Sequence, residues 1–222
     1  MDGFWVFELE RRGADEVVTS DVLDARRLDH FVADRLRGER YRRNSEQNVA
    51  LAAELLGSRA ELRDLSVYEL DPTEVGIFDL VMMGHVLQML RDPLRALEAV
   101  RQVCRGHLIL LETVSRPLDL LPGPLARLDA RRDGSEWFVF NRRGLRRALE
   151  IAGWVVEEST KVLRDQPGPV VGPRELTLRR TVMHTLGIRG RSAAIRARPV
   201  HEDPQDEFSR GRRDSLGSRS AW

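Results

Sequence analysis

Short apolar runs that alternate with amphipathic segments are the feature of this sequence that most restricts its fold. The runs "VVTSDV", "IFDLVMM" and "HLILLETV" are bounded by turn residues, and "IFDLVMM" in particular is typical of a strand buried on both faces of a parallel sheet. Helices are predicted in "DPLRALEAVRQVCRG", from Pro93 to Gly106, and in "NRRGLRRALEIAG". The pattern predicts an α/β fold with a doubly wound, mostly parallel sheet.

Further segments extend the alternation toward both ends of the chain. The opening segment "FWVFELERRGA" is predicted to be a helix that ends at Gly13, and "SEQNVALAAELLG" a helix capped by Ser45. Strands are predicted in "AELRDLSVYEL", "WVVEEST" and "SAAIRARP", and another helix in "PRELTLRRTVMHTLG". One domain over residues 1–198 is therefore expected.

Two stretches depart from the alternation. Residues 115–140 are too long and too rich in proline for an ordinary connection, so they are predicted to be an insertion that forms a lid. Residues 199–222 are polar and charged and contain few apolar side chains, which predicts a disordered C-terminal tail.

Charge and cysteine content exclude several classes of protein. Lys and Arg number 36 against 35 Asp and Glu, and the net charge of +1 favours neither a nucleic-acid-binding stripe nor an acidic tail. Cys104 is the only cysteine, so no disulfide can form within the chain, and the five histidines are too scattered for a zinc site. Phosphate-loop and G-x-S-x-G motifs, a signal peptide and a membrane-spanning run are all absent from the sequence. A cytoplasmic protein with no metal, membrane or DNA partner is expected.

Five local strings, in this order and at this spacing, carry a resemblance to a known family. They are "DGFWVFELERRGA", "VVTSDV", "SVYEL", "FDLVMMGHVLQMLRDPLRALEAV" and "WFVFNRRGLRRALEIAGW". Together they resemble the class I S-adenosylmethionine-dependent methyltransferases, and most closely the branch of the tRNA wobble-uridine (5-oxyacetate/5-methoxyuridine) methyltransferases. The resemblance implies a Rossmann-like fold, S-adenosylmethionine as cofactor, and methyl transfer to an oxygen or nitrogen acceptor. The acceptor is either a small metabolite or a tRNA, and the balanced charge gives RNA little support.

The resemblance implies two groups of cofactor-binding residues near the N-terminus. Asp2 and Gly3 match the end of a glycine-rich loop, which lets the backbone pass close to the methionine part of the cofactor. Asp21 ends the strand "VVTSD" and matches the acid that accepts hydrogen bonds from the ribose hydroxyls; otherwise it is a helix cap or a plain loop acid.

Later turns match the adenine and methyl ends of the family's cofactor site. Ser66, Val67 and Tyr68 match the loop that covers adenine, although Tyr68 would serve equally well as a core residue at a strand end. Met83 and Gly84 match the turn that lines the methyl end of the cofactor.

The candidates for catalysis and for substrate binding are a histidine and an aromatic junction. His85 is the candidate general base, one helical turn before Met89, where relatives commonly carry a histidine; otherwise it is an ordinary polar residue near the pocket. Trp137, Phe138 and Asn141 match a "WWVPN" string of the family, and the aromatics would either stack on a planar substrate or anchor the insertion. If residues 115–140 form a substrate lid, deleting residues 127–134 should alter use of the acceptor more than affinity for the cofactor.

The segment before the first helix is the main departure from the family. In relatives a central strand and an earlier glycine precede "DGFW", and here Met1 stands in the middle of that loop. We expect the codons upstream of Met1 to encode about five apolar residues, an acid and a glycine. The alternatives are a non-catalytic remnant, or a binding or scaffold protein that keeps the fold without a working cofactor site.

Overall fold

Helices and strands alternate in the order that the sequence predicts. The computed structural model describes residues 4–24, 27–29, 47, 49–128, 136–160, 163–164 and 191–200. The helices are α1 (Phe4–Arg11), α2 (49–56), α3 (Pro72–Val75), α4 (Pro93–Gln102), α5 (Arg116–Asp119) and α6 (Arg142–Ile151), with 3₁₀ turns at Val67–Glu69 and Leu87–Met89. The strands are β1 (Val18–Asp21), β2 (Glu61–Asp64), β3 (Phe78–Gly84), β4 (Cys104–Thr113), β5 (Ala126–Leu128), β6 (Phe138–Phe140), β7 (Trp154–Ser159), β8 (Leu163–Arg164) and β9 (Arg191–Pro199).

The strands form a mixed arrangement of parallel and antiparallel pairs. β1 pairs in parallel with β2, and β3 in parallel with β4. The larger sheet has the order β3–β4–β9–β7, with β9 antiparallel to both of its neighbours and β8 added on β9. β5 and β6 form a separate antiparallel pair. The Rossmann-like α/β fold expected from the sequence is confirmed.

Helices α4 and α6 cover one face of the larger sheet and form the main core with it. Leu97 of α4 and Leu145 and Leu149 of α6 are fully buried there, beside Leu108 and Leu110 of β4. The repeat of apolar side chains every three or four residues places them all on the covered face of each helix. The indole of Trp154, at the start of β7, donates to the carbonyl of Leu97 at 3.1 Å, and this bond satisfies its one polar group inside the core.

Two details of the sequence prediction are wrong. The helix begun at Pro93 ends at Gln102 rather than at Gly106, because β4 already starts at Cys104. Gly106 lies within that strand, where any Cβ would collide with the backbone carbonyl of Asp79 on β3. Close approach of two backbones, rather than a helix end, explains this glycine.

The prediction that "IFDLVMM" is buried on both faces is also wrong. Along β3 only Met83 is buried, and 38% of the side chain of Leu80 is exposed. Among the described residues β3 pairs with β4 alone and β1 pairs with β2 alone. β3 is therefore the edge of its sheet on the side away from β4, which explains the exposure of its side chains.

The insertion at 115–140 is described at both ends, with α5 and β5 on one side and β6 on the other. Residues 129–135 of it, the predicted helix "PRELTLRRTVMHTLG", the Ser45 cap and residues 201–222 of the predicted tail lie outside the described residues. "SAAIRARP" is confirmed as a strand, and β9 begins one residue earlier, at Arg191. The predicted tail starts too early, because Pro199 belongs to β9 and the N–H of Val200 donates to the carbonyl of Gly153 at 2.8 Å. None of the described helices is long and apolar enough to cross a membrane.

Candidate functional site

The ends of the parallel strands place the candidate residues at the carboxyl edges of the two sheets. In the register of β1 and β2, Asp21 lies beside Asp64, so the loops that follow both strands start side by side. In the register of β3 and β4, Gly84 lies beside Leu111. Carboxyl ends of parallel strands are where open α/β sheets bind ligands.

Asp21 lies at the last position of β1, as predicted. One carboxylate oxygen accepts the N–H of Val22 at 2.9 Å, and the carbonyl of Asp21 accepts the N–H of Leu65 at 3.2 Å. These bonds hold the side chain at the strand end and tie the loop after β2 to it. A half-buried carboxylate in this position is suited to accept hydrogen bonds from a diol.

The loop predicted to cover adenine is a 3₁₀ turn with a complete capping box. Ser66 Oγ accepts the N–H of Tyr68 at 3.4 Å, and the carboxylate of Glu69 accepts the N–H of Ser66 at 3.0 Å. Val67 and Tyr68 pack against the main core, and the guanidinium of Arg95 lies 5.3 Å from the ring centre of Tyr68. The alternative in which Tyr68 is a core residue agrees with these contacts, while contact with adenine stays a prediction.

Asp29 connects the loops that follow β1, β2 and β3. Its carboxylate accepts the Tyr68 hydroxyl at 2.6 Å and the N–H of Arg91 at 3.0 Å, and its carbonyl accepts the indole N–H of Trp137 at 2.9 Å. Burial, reinforced by this bond to Asp29, raises the pKa of Tyr68 above its usual range, so the hydroxyl remains a donor. The same hydroxyl accepts the N–H of Asp92 at 3.1 Å. No local signal in the sequence distinguishes Asp29, because it lies within a run of charged residues.

His85 follows β3 directly and has an unusual backbone conformation. Its φ of 56° lies in the left-handed region, which non-glycine residues rarely adopt. Its N–H donates to the carbonyl of Leu111 at 2.7 Å, and Nδ1 of its ring lies 3.3 Å from Oγ1 of Thr113. Strained residues held by surrounding bonds are often found at functional sites. His85 is thus fixed at the carboxyl edge of β3, with Nδ1 engaged.

Met83 and Gly84 precede His85 and differ in exposure. The Met83 side chain is buried in the main core, so only its backbone can reach a ligand. Gly84 is exposed, and a Cβ added there would lie 3.9 Å from Nε1 of Trp5. The beginning of α1 therefore lies close to the end of β3. Asp2 and Gly3, which come just before α1, are outside the described residues.

Trp137 and Asn141 bind the insertion to the body of the protein. The backbone N–H of Trp137 donates to the carbonyl of Gln88 at 2.6 Å, and the guanidinium of Arg91 lies 4.8 Å from the centre of the Trp137 ring. Phe138 stacks on Phe140 within β6, with ring centres 6.4 Å apart. These contacts agree with the anchoring alternative for the aromatics, and stacking on a substrate stays a prediction.

Asn141 is fully buried and caps α6. Its Oδ1 accepts the N–H groups of Gly144 at 2.7 Å and Leu125 at 2.9 Å. Its Nδ2 donates to the carbonyls of Leu118 at 3.1 Å and Gly123 at 3.0 Å. Both donors and both acceptor positions of the amide are thereby used in structural bonds. A contact between Asn141 and substrate stays a prediction that these bonds do not favour.

Glu112 is the most unusual ionisable group near this edge. It is 2% exposed, and its Oε1 accepts the N–H of Leu87 at 2.8 Å. Burial raises the pKa of its carboxyl to about 7, against the opposing effect of the backbone N–H groups of residues 86–88. Sequence analysis did not select it, although a single acid in the apolar run "HLILLE" was the available signal.

Metal ligands are not gathered at this site. The part of the chain that the structure describes contains no group of three or more His, Cys, Asp or Glu side chains that could hold a metal ion.

Comparison with protein-family models gives one match. A model described as a methyltransferase domain matches residues 2–159, more than half of the chain. A search of curated proteins found no match.

Solved structures with the same fold include three similar ones with low sequence identity. A chain from the complex of the Haloferax volcanii Trm112 methyltransferase activator with a candidate methyltransferase has a TM-score of 0.58 at 12% identity, over 91% of this chain and 79% of its own. A candidate methyltransferase from Bacillus halodurans has a TM-score of 0.58 at 13% identity, over 90% and 89%. A protein from Pyrococcus horikoshii has a TM-score of 0.51 at 17% identity, over 89% and 77%.

Proposed function

The chain belongs to the methyltransferase-domain family, and from that membership we propose that it transfers a methyl group from S-adenosylmethionine to an oxygen or nitrogen atom of a small metabolite. The observation that carries the proposal is the position of Asp21 at the carboxyl end of β1, beside the loop after β2. When bound, S-adenosylmethionine supplies a methyl group on a positively charged sulfur. A tRNA wobble uridine is the second acceptor considered, and the net charge of +1 gives it little support.

The described residues fit this cofactor in the chemistry of their groups. The carboxylate of Asp21 would accept the two ribose hydroxyls. The loop at Ser66–Tyr68 would border the adenine, and the exposed Gly84 leaves the backbone accessible beside Trp5. Asp2 and Gly3, assigned to the methionine part by the resemblance, lie outside the described residues.

His85 is the residue proposed to move a proton. Its Nδ1 is engaged with Oγ1 of Thr113, which leaves Nε2 to face the acceptor. In the tautomer with a proton on Nδ1, Nε2 holds a lone pair and takes the proton of the attacking O–H or N–H group. The rest of the catalytic effect comes from alignment, because the acceptor and the methyl carbon must lie in line.

Calorimetric titration with S-adenosylmethionine tests the proposal. Micromolar binding, by the 222-residue chain or by a form extended with an upstream strand, supports a methyltransferase. A lack of binding by both forms, each shown to be folded by circular dichroism, would reject it. The alternative, a binding or scaffold protein without a cofactor site, is favoured by the unpaired edges of β1 and β3 among the described residues.

Replacement of Asp21 tests the cofactor site itself. In the form that binds, Asp21→Ala should weaken S-adenosylmethionine by about 1.5–3 kcal/mol, because a charged acceptor of two hydrogen bonds is lost. The melting temperature without cofactor should change little, since the side chain is only half-buried. Glu61→Ala, at the opposite end of β2, where the carboxylate pairs with Arg63, is the control and should leave the affinity unchanged. A large loss of stability with unchanged affinity would assign Asp21 a structural role only.

We also propose that the functional form contains a strand between β1 and β3. The support is that these strands are edges of separate sheets among the described residues, and that β3 exposes apolar side chains there. The codons upstream of Met1 would then encode about five apolar residues, an acid and a glycine. An in-frame stop codon directly upstream would contradict this and favour a remnant.

A further inference from the structure

Three consecutive residues of β4 hold the segment 85–88. The carbonyl of Leu111 accepts the N–H of His85 at 2.7 Å, and Oγ1 of Thr113 lies 3.3 Å from its Nδ1. Between them, the carboxylate of Glu112 accepts the N–H of Leu87 at 2.8 Å. The N–H groups of Val86 and Gln88 also act on this carboxylate. The end of one strand thus determines the conformation of the turn that follows its neighbour.

Burying the Glu112 carboxylate carries a desolvation cost. Among the described residues, no side chain of opposite charge lies beside it on its face of the sheet. Residues two apart on a strand share a face, so Glu112 lies with the apolar core on which α4 and α6 pack. On that face the buried neighbours along β4 are Leu108 and Leu110, and Glu112 pairs across the sheet with Ala193 of β9, so none of these neighbours is charged. His85 is the only ionisable side chain of the turn, and it is bound to Thr113, on the opposite face. A glutamine or a leucine would fill the space at a lower desolvation cost.

The strained backbone of His85 indicates what the charge does. A histidine in the left-handed region is strained and persists only where surrounding bonds determine its conformation. The N–H groups of the residues directly after His85 are those that the Glu112 carboxylate accepts. If they were released, residues 86–88 could rotate and His85 could return to an ordinary conformation.

We propose that Glu112 is a positioning residue, whose carboxylate holds residues 86–88 so that His85 presents Nε2 toward the methyl acceptor. This inference rests on the proposed methyltransferase function, in which His85 takes the proton. Glu112 itself touches neither cofactor nor acceptor.

Protonation of Glu112 should change the conformation of the turn with pH, and this pH dependence distinguishes a positioning role from a purely structural one. The N–H groups of residues 86–88 stabilise the ionised carboxyl of Glu112. If they are released while Glu112 remains buried, the pKa of Glu112 therefore rises above the value of about 7. Acid therefore shifts the turn toward release. The global stability of the protein changes in the opposite direction. Between pH 4.5 and about pH 7, Glu112 holds a proton in the folded protein that it has lost in the unfolded chain, so the contribution of Glu112 to the free energy of unfolding is lost as the pH rises.

Hydrogen–deuterium exchange of the amides of residues 86–88 tests the proposal without an acceptor. In the wild-type protein, the opening constant of these amides, corrected for the intrinsic effect of pH on exchange, should rise at least about fivefold from pH 8 to pH 6. Glu112→Gln should raise it at least about tenfold at pH 8 and remove the pH effect, because the amide group cannot ionise. Glu98→Gln, an exposed acid on α4, is the matched control and should behave as wild type.

Affinity for S-adenosylhomocysteine, measured in the form of the protein that binds S-adenosylmethionine, is the second measurement. Glu112→Gln should weaken it by a factor of about three to ten, with amides of β4 and α6 as protected as in wild type. Unchanged exchange at 86–88, or equally faster exchange throughout the core, would overturn the positioning role. If Glu112→Gln does not fold, the pH comparison on wild type decides alone. If neither the 222-residue chain nor the form extended with the upstream strand binds S-adenosylhomocysteine, but the pH effect is present, the proposed function is refuted and the role of Glu112 in the turn remains intact.

Discussion

An apolar strand of about five residues, followed by an acid and a glycine and joined directly before Asp2, should raise the melting temperature and the affinity for S-adenosylmethionine together. Between β1 and β3 such a strand would bury four or five aliphatic side chains at roughly 1.5–3 kcal/mol each. That sum is comparable with the entire stability of a domain, about 5–15 kcal/mol. A rise of about 10 °C or more is therefore expected.

The two effects should appear together because one element supplies both. The strand would pair with the free edge of β3 and cover Leu80, and the glycine would complete the loop before α1. Differential scanning fluorimetry and calorimetric titration measure the two effects on the same samples. A fused segment of equal length with serines in place of the apolar residues is the control.

The 222-residue chain by itself should be poorly soluble, or bind S-adenosylmethionine weakly or not at all. Tight binding by this chain would contradict the strand proposal, since half of the loop would then suffice. Binding that improves equally with the serine control would assign the gain to length and not to strand pairing.

Replacing Asn141 with alanine should lower the free energy of unfolding by about 3 kcal/mol or more. The substitution leaves two N–H groups, of Gly144 and Leu125, and two carbonyls, of Leu118 and Gly123, without their partner; Asn141 and Gly144 are buried, and the other three residues are half-buried. Each buried group left unpaired costs about 1–3 kcal/mol, and loss of a helix cap alone about 1 kcal/mol.

Two further variants separate the parts of this effect in urea unfolding. Asn141→Asp keeps the two acceptor bonds and loses the two donor bonds, so its loss should be intermediate if the aspartate remains paired with the N–H groups. Asp92→Ala removes an exposed cap with a single bond to the N–H of Arg95 and should cost only about 1 kcal/mol. Equal losses for Asn141→Ala and Asp92→Ala would show that the bonds to the insertion contribute nothing.

The regular elements were largely predictable, because their signals are local. The apolar repeat and the turn residues around "NRRGLRRALEIAG" specify α6 and its cap without reference to the rest of the molecule. Gly106 was misassigned because its reason is the backbone of Asp79, 27 positions earlier in the chain. The burial of β3 was misjudged for a similar reason, since an apolar run shows what a strand can bury and not what lies beside it.

Residues of the candidate site were predictable from the sequence only where a single residue at the end of a single strand defines the position. Asp21 and His85 lie at the ends of β1 and β3, as their positions after apolar runs indicated. Asp29 and Glu112 work through partners 39 and 25 residues away, Tyr68 and Leu87, so their roles come from the tertiary fold. Local patterns do not encode such pairs.

The position of β9 has a consequence for how the protein is made. β9 is the last described strand, yet it lies between β4 and β7 and pairs with both. Among the described residues, only β9 pairs with the facing edges of β4 and β7, so during synthesis these strands leave the ribosome before residues 191–199 can pair with them. Both edges can pair with strands of other chains throughout that interval. Slow translation between residues 159 and 191 would therefore favour aggregation of the nascent chain, and a chaperone that covers strand edges would act in this interval.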